Sequence, residues 1–364
     1  MDPMLCAYRG CLLGMAVGDA LGYTIDDKTW EEIQDNYGPM GLLGYDLQAQ
    51  DYAQVTSYTQ IGAFLCNGLL LSLTRGKSDH LPYCKVALKE WTRSQHFYRD
   101  PEESLCFLAK LPQFRRYHCR DARMLDNLRL EAFGSMDSPK NSNNAPGAIT
   151  AAIAAGLFFH PKRLAPEQIG TLAGELIALT HGNPEAFLTG VVLSYVIAGI
   201  LQEPALSLDQ QFTQAIEVMD GQFRPRFSQA EDLALQLKRA ITLAKSGMVS
   251  PQQGMEQLAC MDAPQCLAGA MFACLTAPED FDTAITTAVN HSGMSAAVGA
   301  VTGGILGAKL GEYALPEFYL ESLECDEALR VLADDMLCGT PAMGIFDDSW
   351  DHKYVQGLPP EGIF

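Results

Sequence analysis

Apolar residues recur along this chain mostly at three- and four-residue spacing, and short alternating runs are scarce. That period belongs to helices with a buried face rather than to strands. The spacing predicts helices over 4–21, 58–74, 84–95, 101–109, 146–158, 166–179, 184–201, 208–219, 229–245, 252–259, 264–275, 281–289, 294–310 and 326–337. Ser228, ahead of Gln229–Ala230–Glu231, offers an S-x-x-E capping box. Pro166 suits the first turn of its helix. Stretches rich in breakers at 36–51, 134–146, 220–227 and 339–364 read as loops. No linker separates domains and no repeat of solenoid period is present. The expectation is one all-α domain over 1–340, followed by a tail, 341–364, that packs on the body or serves as a partner-binding arm.

Two predicted helices carry glycine at every fourth position: Gly10, Gly14, Gly18 and Gly22 in the first, and Gly299, Gly303, Gly307 and Gly311 in the late one. Residues four apart share a helix face, so each helix has a stripe without side chains. Each interior glycine costs about 1 kcal/mol relative to alanine. Close backbone packing deep in the core must offset that cost.

Composition narrows the class. Of 364 residues, 48% are hydrophobic and 19% charged, which suits a globular chain. The net charge of −19 argues against a nucleic-acid binder or an anionic membrane surface. It is compatible with plain solubility or a basic protein partner. No uninterrupted apolar run reaches membrane length, and the opening MDPMLCAYRG lacks the pattern of a secretion signal. The eleven cysteines show no CxxC spacing and fall largely in apolar helical runs, as expected of reduced, buried thiols in a cytoplasm. His118 and Cys119 are adjacent, which does not make a thiol–imidazole pair on a helix. G-x-S-x-G, H-E-x-x-H and Walker A motifs are absent.

Five segments in order carry a resemblance. Residues 10–22 read GCLLGMAVGDALG; Thr56–Ser57–Tyr58–Thr59–Gln60 precede a helix; 142–156 read SNNAPGAITAAIAAG; Thr180–His181–Gly182–Asn183–Pro184–Glu185–Ala186 follow; and 288–311 read AVNHSGMSAAVGAVTGGILGAKLG, ahead of Leu315–Pro316. Over about residues 5–335 the chain resembles the ADP-ribosylglycohydrolases, the group that includes the dinitrogenase-reductase-activating glycohydrolases. The resemblance implies a single compact orthogonal helical domain. It also implies an activity, removal of ADP-ribose from a modified protein or small molecule. Two magnesium or manganese ions would be held by T-D-D and D-x-D-T segments.

The departures from that pattern carry the functional expectation. Thr56 keeps its place, but the two aspartate positions after it are Ser57 and Tyr58, and the late ligand positions are Met294, Ala296 and Ala297. Hard divalent ions need oxygen ligands, several of them charged. A thioether and two methyl groups supply none, so no metal and no other cofactor is expected. The family's loop arginine falls at Ala148 and its proline at Ala151, leaving Asn143 and Asn144 as polar loop residues. An inward Tyr58 would fill the vacated metal volume beside Met294 and Ala296.

Asp19 and Asp26 remain as candidate catalytic carboxylates. Asp19 could equally bond a neighbouring helix end. Asp26 stands where the family often has a glutamate, one methylene longer, and could equally be a solvated acid beside Asp27. His181 reads either as a pocket residue or as a packed histidine, and Asn183–Pro184 as a helix start. Asn290 and His291 either line the cleft or end a helix. Three readings follow. The first is a non-catalytic member that binds ADP-ribose, an ADP-ribosylated protein or a basic protein partner. The second is a metal-independent glycosidase using Asp19 and Asp26. The third is an ordinary metal-dependent hydrolase whose carboxylates come from Asp46, Asp51 or Asp282.

Overall fold

The computed structural model describes residues 2–47, 51–95, 104–160, 163–341 and 347–355. The described residues form an all-helical single domain, with one isolated parallel bridge between Ala53 and Leu323. The chain runs α1 (Pro3–Tyr23), α2 (Trp30–Tyr37), α3 (Ser57–Thr74), α4 (Leu81–Ser94), α5 (Ala122–Arg129), α6 (Ala151–Phe158), α7 (Pro166–Ala178) and α8 (Pro184–Gln202). It continues through α9 (Leu208–Phe223), α10 (Gln229–Ser246), α11 (Pro251–Leu258), α12 (Ala263–Thr276), α13 (Phe281–Val289), α14 (Ser295–Leu310), α15 (Glu317–Glu321) and α16 (Asp326–Cys338).

Most predicted helices agree with these within a few residues. The differences have local causes. The predicted helix at 101–109 is only a 3-10 turn, Phe107–Lys110, with 101–103 outside the described residues. The one predicted over 146–158 splits into a 3-10 turn, Pro146–Ala148, and α6. The expected loop at 220–227 begins later, because α9 continues far enough to bury Phe223. Ser228 already has helical dihedrals (φ −60°, ψ −25°), and its side chain makes no capping bond, so the expected capping box does not form. Short α2 lies outside the predicted helices. It starts on a capping box in which the Glu32 amide donates to Thr29 Oγ1 and the Thr29 amide to Glu32.

Although no uninterrupted apolar run reaches membrane length, two helices come close to it. α1 and α8 are long and apolar enough to cross a bilayer, with mean hydropathies of 1.3 and 1.7. Arg9 and Asp19 interrupt the apolar run of α1, and Thr189 and Ser194 that of α8. In the fold, 72% and 78% of these stretches are buried against other helices.

The glycine stripes of α1 and α14 face each other across an antiparallel pair. A Cβ at Gly14 would lie 2.2 Å from the Gly303 carbonyl oxygen, one at Gly18 1.9 Å from that of Gly299, and one at Gly10 2.2 Å from that of Gly307. At Gly22 it would meet the Ser295 carbonyl oxygen at 2.4 Å. Backbone thus packs on backbone, at a spacing that admits Cα–H···O contacts and no side chain. The register brings the C-terminal end of α1 against the first turn of α14. Beyond the body's last long helix, residues 347–355 lie on its surface. There Trp350 and Tyr354 are buried, and the Tyr354 hydroxyl donates to Asp335 at 2.7 Å.

Gly303→Ala is expected to destabilise the protein by roughly 3 kcal/mol or more, because the neighbour to be moved is backbone. Gly221→Ala, on α9 with nothing within 4 Å of the new methyl, should instead gain about 0.5–1 kcal/mol. Urea denaturation of both variants checks this. Similar midpoints would show that the two helices separate at little cost.

Candidate functional site

The end of α1 and the turn after it place two aspartates between two helix N-termini. Asp19 is fully buried on α1 and points at the start of α3. Its carboxylate accepts four bonds: from the Thr56 amide (2.8 Å), Thr56 Oγ1 (2.7 Å), the Thr59 amide (3.0 Å) and Thr59 Oγ1 (2.6 Å). Burial raises its pKa, while these donors and the positive end of α3 favour the charged form. Asp19 therefore acts as the anchor of α3. Its lone pairs are taken up by the protein.

Asp26 does the same for α14. Its Oδ1 accepts the Ala296 amide at 3.1 Å, and its Oδ2 lies 2.7 Å from Nη2 of Arg120. That guanidinium also bonds Asp27, so Asp26 Oδ2 is buried without a well-aligned donor. Asp27 takes the left-handed conformation (φ 69°), which turns Asp26 inward and leaves Asp27 71% exposed. Burial pushes the Asp26 carboxyl up to about 6, against the pull of Arg120 and the Ala296 amide.

Arg120 is a site residue that the sequence does not announce. It belongs to a segment without regular structure, 118–120, that crosses the start of α3: the Ser57 amide donates to the His118 carbonyl (3.0 Å) and the Arg120 amide to Ser57 Oγ (2.9 Å). The guanidinium sits 5.7 Å from the ring centre of Tyr23. Its Nε is buried without a partner. No periodicity or motif marks this segment, and its role comes entirely from contacts distant in sequence. Neither His118 nor Cys119 makes the other its partner: His118 packs edge-on against Tyr23, and the Cys119 thiol donates to the Asp121 carbonyl.

Tyr58 is buried to 1% exposure, and the charged groups that act on its hydroxyl are Asp26, Asp19 and Arg120, beside the Cys266 thiol. Burial raises its phenol well above the usual value. Met294 is the half-buried residue ahead of α14, its amide bonded to the Cys260 carbonyl at 2.8 Å. Ala296 and Ala297 are fully buried in the first turn. Thr56, Ser57, Tyr58, Asp19, Asp26 and Ala296 are thus brought together as a group. Among the described residues no three His, Cys, Asp or Glu side chains are placed to hold a metal ion.

His181 and Asn143 form a second, adjacent cluster around Asp121. His181 Nε2 lies 2.9 Å from Asp121 Oδ2, which also accepts from Asn143 Nδ2 at 2.8 Å. The other ring nitrogen meets Thr180 Oγ1 at 2.8 Å, and the Met124 amide donates to Asp121 Oδ1 at 3.0 Å. Burial would raise the Asp121 carboxyl, but His181, the Met124 amide and Asn143 together hold it well below the usual range. Gly147 lets the loop come this close, since a Cβ there would lie 2.7 Å from Asp121 Oδ2. Asn144 contributes its carbonyl, which accepts the Ala263 amide at 2.9 Å.

Asn290 lies apart from both groups. Its side chain is spent on the loop before α3, accepting from the Leu42 amide (2.8 Å) and donating to the Leu42 carbonyl (2.9 Å). His291 is buried, with Nδ1 accepting the Gly293 amide at 2.8 Å, and burial lowers it to about 4. Of the alternative carboxylates, Asp46 accepts from the Tyr37 hydroxyl and Asp282 from that of Tyr319, both outside this cluster. A concavity of about 580 Å³ between α7, α8 and α9, lined by Ile169, Tyr195, Gln211 and Val218 among others, contains none of the predicted site residues.

An all-helical body with two glycine-paired helices, whose ends carry the site, defines the class, and comparison with known proteins agrees. Residues 4–343 match the ADP-ribosylglycohydrolase family, and the chain belongs to it. It is 23% identical over 335 residues to an uncharacterised protein of Archaeoglobus fulgidus, covering 90% of this chain and 94% of that one. A solved structure described as an ADP-ribosylglycohydrolase-related protein complex has the same fold. It superposes with a TM-score of 0.62 at 20% identity, over 94% of this chain and all of the other.

Asp121 has a depressed pKa in the folded state. Its stabilising contribution is therefore present above the unfolded value of about 3.9 and is lost as pH falls through the lower folded value. Asp121→Asn should cost roughly 3 kcal/mol at pH 7 and progressively less below pH 4. Urea midpoints at pH 7 and pH 3.5 test this. An equal loss at both would assign the effect to packing rather than charge.

Proposed function

We propose that this protein is a degenerate member of its family, a pseudoenzyme that keeps the cleft as a binding site for ADP-ribose or an ADP-ribosylated protein and lacks dinuclear-metal hydrolysis. One observation carries the reading: the family's ligand positions hold Ser57, Tyr58, Met294, Ala296 and Ala297, and a guanidinium lies 2.7 Å from the nearest remaining carboxylate, Asp26. The donors do not fit two hard divalent ions. The Thr56 hydroxyl donates to Asp19 while accepting the Tyr58 amide, Ser57 Oγ accepts the Arg120 amide, and a fixed cation repels a second one.

Metal-independent cleavage by Asp19 and Asp26 is the competing reading. Asp26, raised to about 6, has the protonation behaviour of a general acid. Asp19 is fully buried with four donors on its oxygens, so it does not supply the second carboxylate such a mechanism needs. A basic protein partner suits the net charge of −19. A cytoplasmic location suits eleven unpaired cysteines, most of them buried.

Calorimetric titration with magnesium or manganese is expected to show no two-site binding. Equilibrium dialysis is expected to show retention of ADP-ribose, and an ADP-ribosylated peptide should release none above the uncatalysed rate. Tight binding of two ions would restore the metal-dependent reading. Release that Asp26→Asn abolishes would instead establish carboxylate catalysis.

A further inference from the structure

Asp26 presents a problem of charge. Its side chain is 1% exposed, and its Oδ1 fixes the first turn of α14 through the Ala296 amide. An isolated buried carboxylate would cost several kcal/mol. The available cation is Arg120, tied by its own backbone to Ser57 at the start of α3. Its guanidinium reaches Asp26 at 2.7 Å, bonds Asp27 at the surface and lies 5.7 Å from the Tyr23 ring centre. A continuous path therefore runs from the α3 N-terminus through Arg120 and Asp26 to the α14 N-terminus.

We propose that Arg120 is a built-in counter-ion that takes the place of divalent metal at this site, holding the two helix N-termini together and barring cations from Asp26. The inference rests on the metal-free reading above. It makes Arg120 a positioning residue rather than a catalytic one. A guanidinium suits the task because it is permanently charged and planar, and can serve two carboxylates at once. It also explains why Tyr58 and the alanines of α14 can stand where charged ligands would: with one cation covalently fixed, additional carboxylates would be uncompensated.

The test is a double-mutant cycle read by thermal unfolding, with a manganese arm. Arg120→Met keeps the apolar stem and removes the charge. It is expected to lower Tm by roughly 6 °C in the parent protein and by less than half of that in the Asp26→Asn background. Arg120→Lys should recover part of the loss. Adding manganese chloride should raise the Tm of Arg120→Met and leave the parent unmoved, because removing the guanidinium opens Asp26 and Asp27 to a cation. An equal Tm loss in both backgrounds, or a manganese response no greater than the parent's, would overturn the proposal. Should Arg120→Met fail to fold, Arg120→Lys in the two Asp26 backgrounds gives the same comparison, and a loss independent of Asp26 again overturns it. Two-site manganese binding by the unaltered protein is a separate result. It would overturn the metal-free reading, whereas the Arg120 cycle reports on the counter-ion alone.

Discussion

The backbone-to-backbone contact of α1 with α14 is the constraint on which the site depends. Gly10, Gly14, Gly18 and Gly22 of α1 face Gly307, Gly303, Gly299 and the Ser295 backbone of α14, so carbonyl oxygens of one helix occupy the space where Cβ atoms of the other would stand. The contact fixes axial register as well as distance, because shifting by one turn would leave Gly22 away from Ser295. Register in turn decides which residues meet at the end of the pair. Asp26 reaches the Ala296 amide because Gly22 admits the backbone of Ser295 and Ala296, which an added Cβ would meet at 2.4 and 2.6 Å. The small-residue helices thus serve as a ruler for a polar cluster at one end.

That cluster is organised by helix N-termini. The first turn of α3 has its amides assigned: Thr56 and Thr59 to Asp19, Ser57 to the His118 carbonyl, Tyr58 to Thr56 Oγ1. α14 receives Asp26. Helix N-termini attract anions, and here the anions come from the end of α1 and the turn that follows it. Charge balance follows from this. Asp19 is compensated by four donors and a helix end, and Asp26 by one helix amide and one guanidinium.

Much of the fold was legible because helical period and glycine spacing are local signals. The four-residue stripes predicted close backbone packing, and the facing pair supplies it. The elements that sequence reasoning does not find share a cause. α2 and α5 are largely exposed and bury, respectively, only Ile33 and only Met124, Leu125 and Leu128, so few apolar positions mark them. Segment 118–120 has no regular structure, and its significance lies in Arg120 meeting Asp26 and Asp27 across more than ninety residues of sequence. The polar candidates were legible as residues but not as roles. His181 needs Asp121 to be understood, and Asp121 carries no motif. Asn290 lies just ahead of Met294 and Ala296 in sequence, yet its side chain serves the loop at Leu42.

On the metal-free reading proposed above, the two buried aspartates explain how a family scaffold can outlast its metal site. A bound ion compensates carboxylates only while it is bound, and its loss leaves like charges together. An arginine contributed by the chain is always present, but it balances far less charge than two divalent ions do. On that reading the site keeps few buried acids, and neutral residues stand at the remaining ligand positions. Ser57, Tyr58, Met294, Ala296 and Ala297 are all uncharged: the hydroxyl of Ser57 accepts a backbone amide, Tyr58 is a buried phenol whose ionisation burial opposes, and Ala296 gives its amide to Asp26. Restoring one acid alone, at position 58 or 296, would bury a charge with no partner beyond Arg120. On the same reading, a metal site here would need several added acids and removal of the guanidinium together.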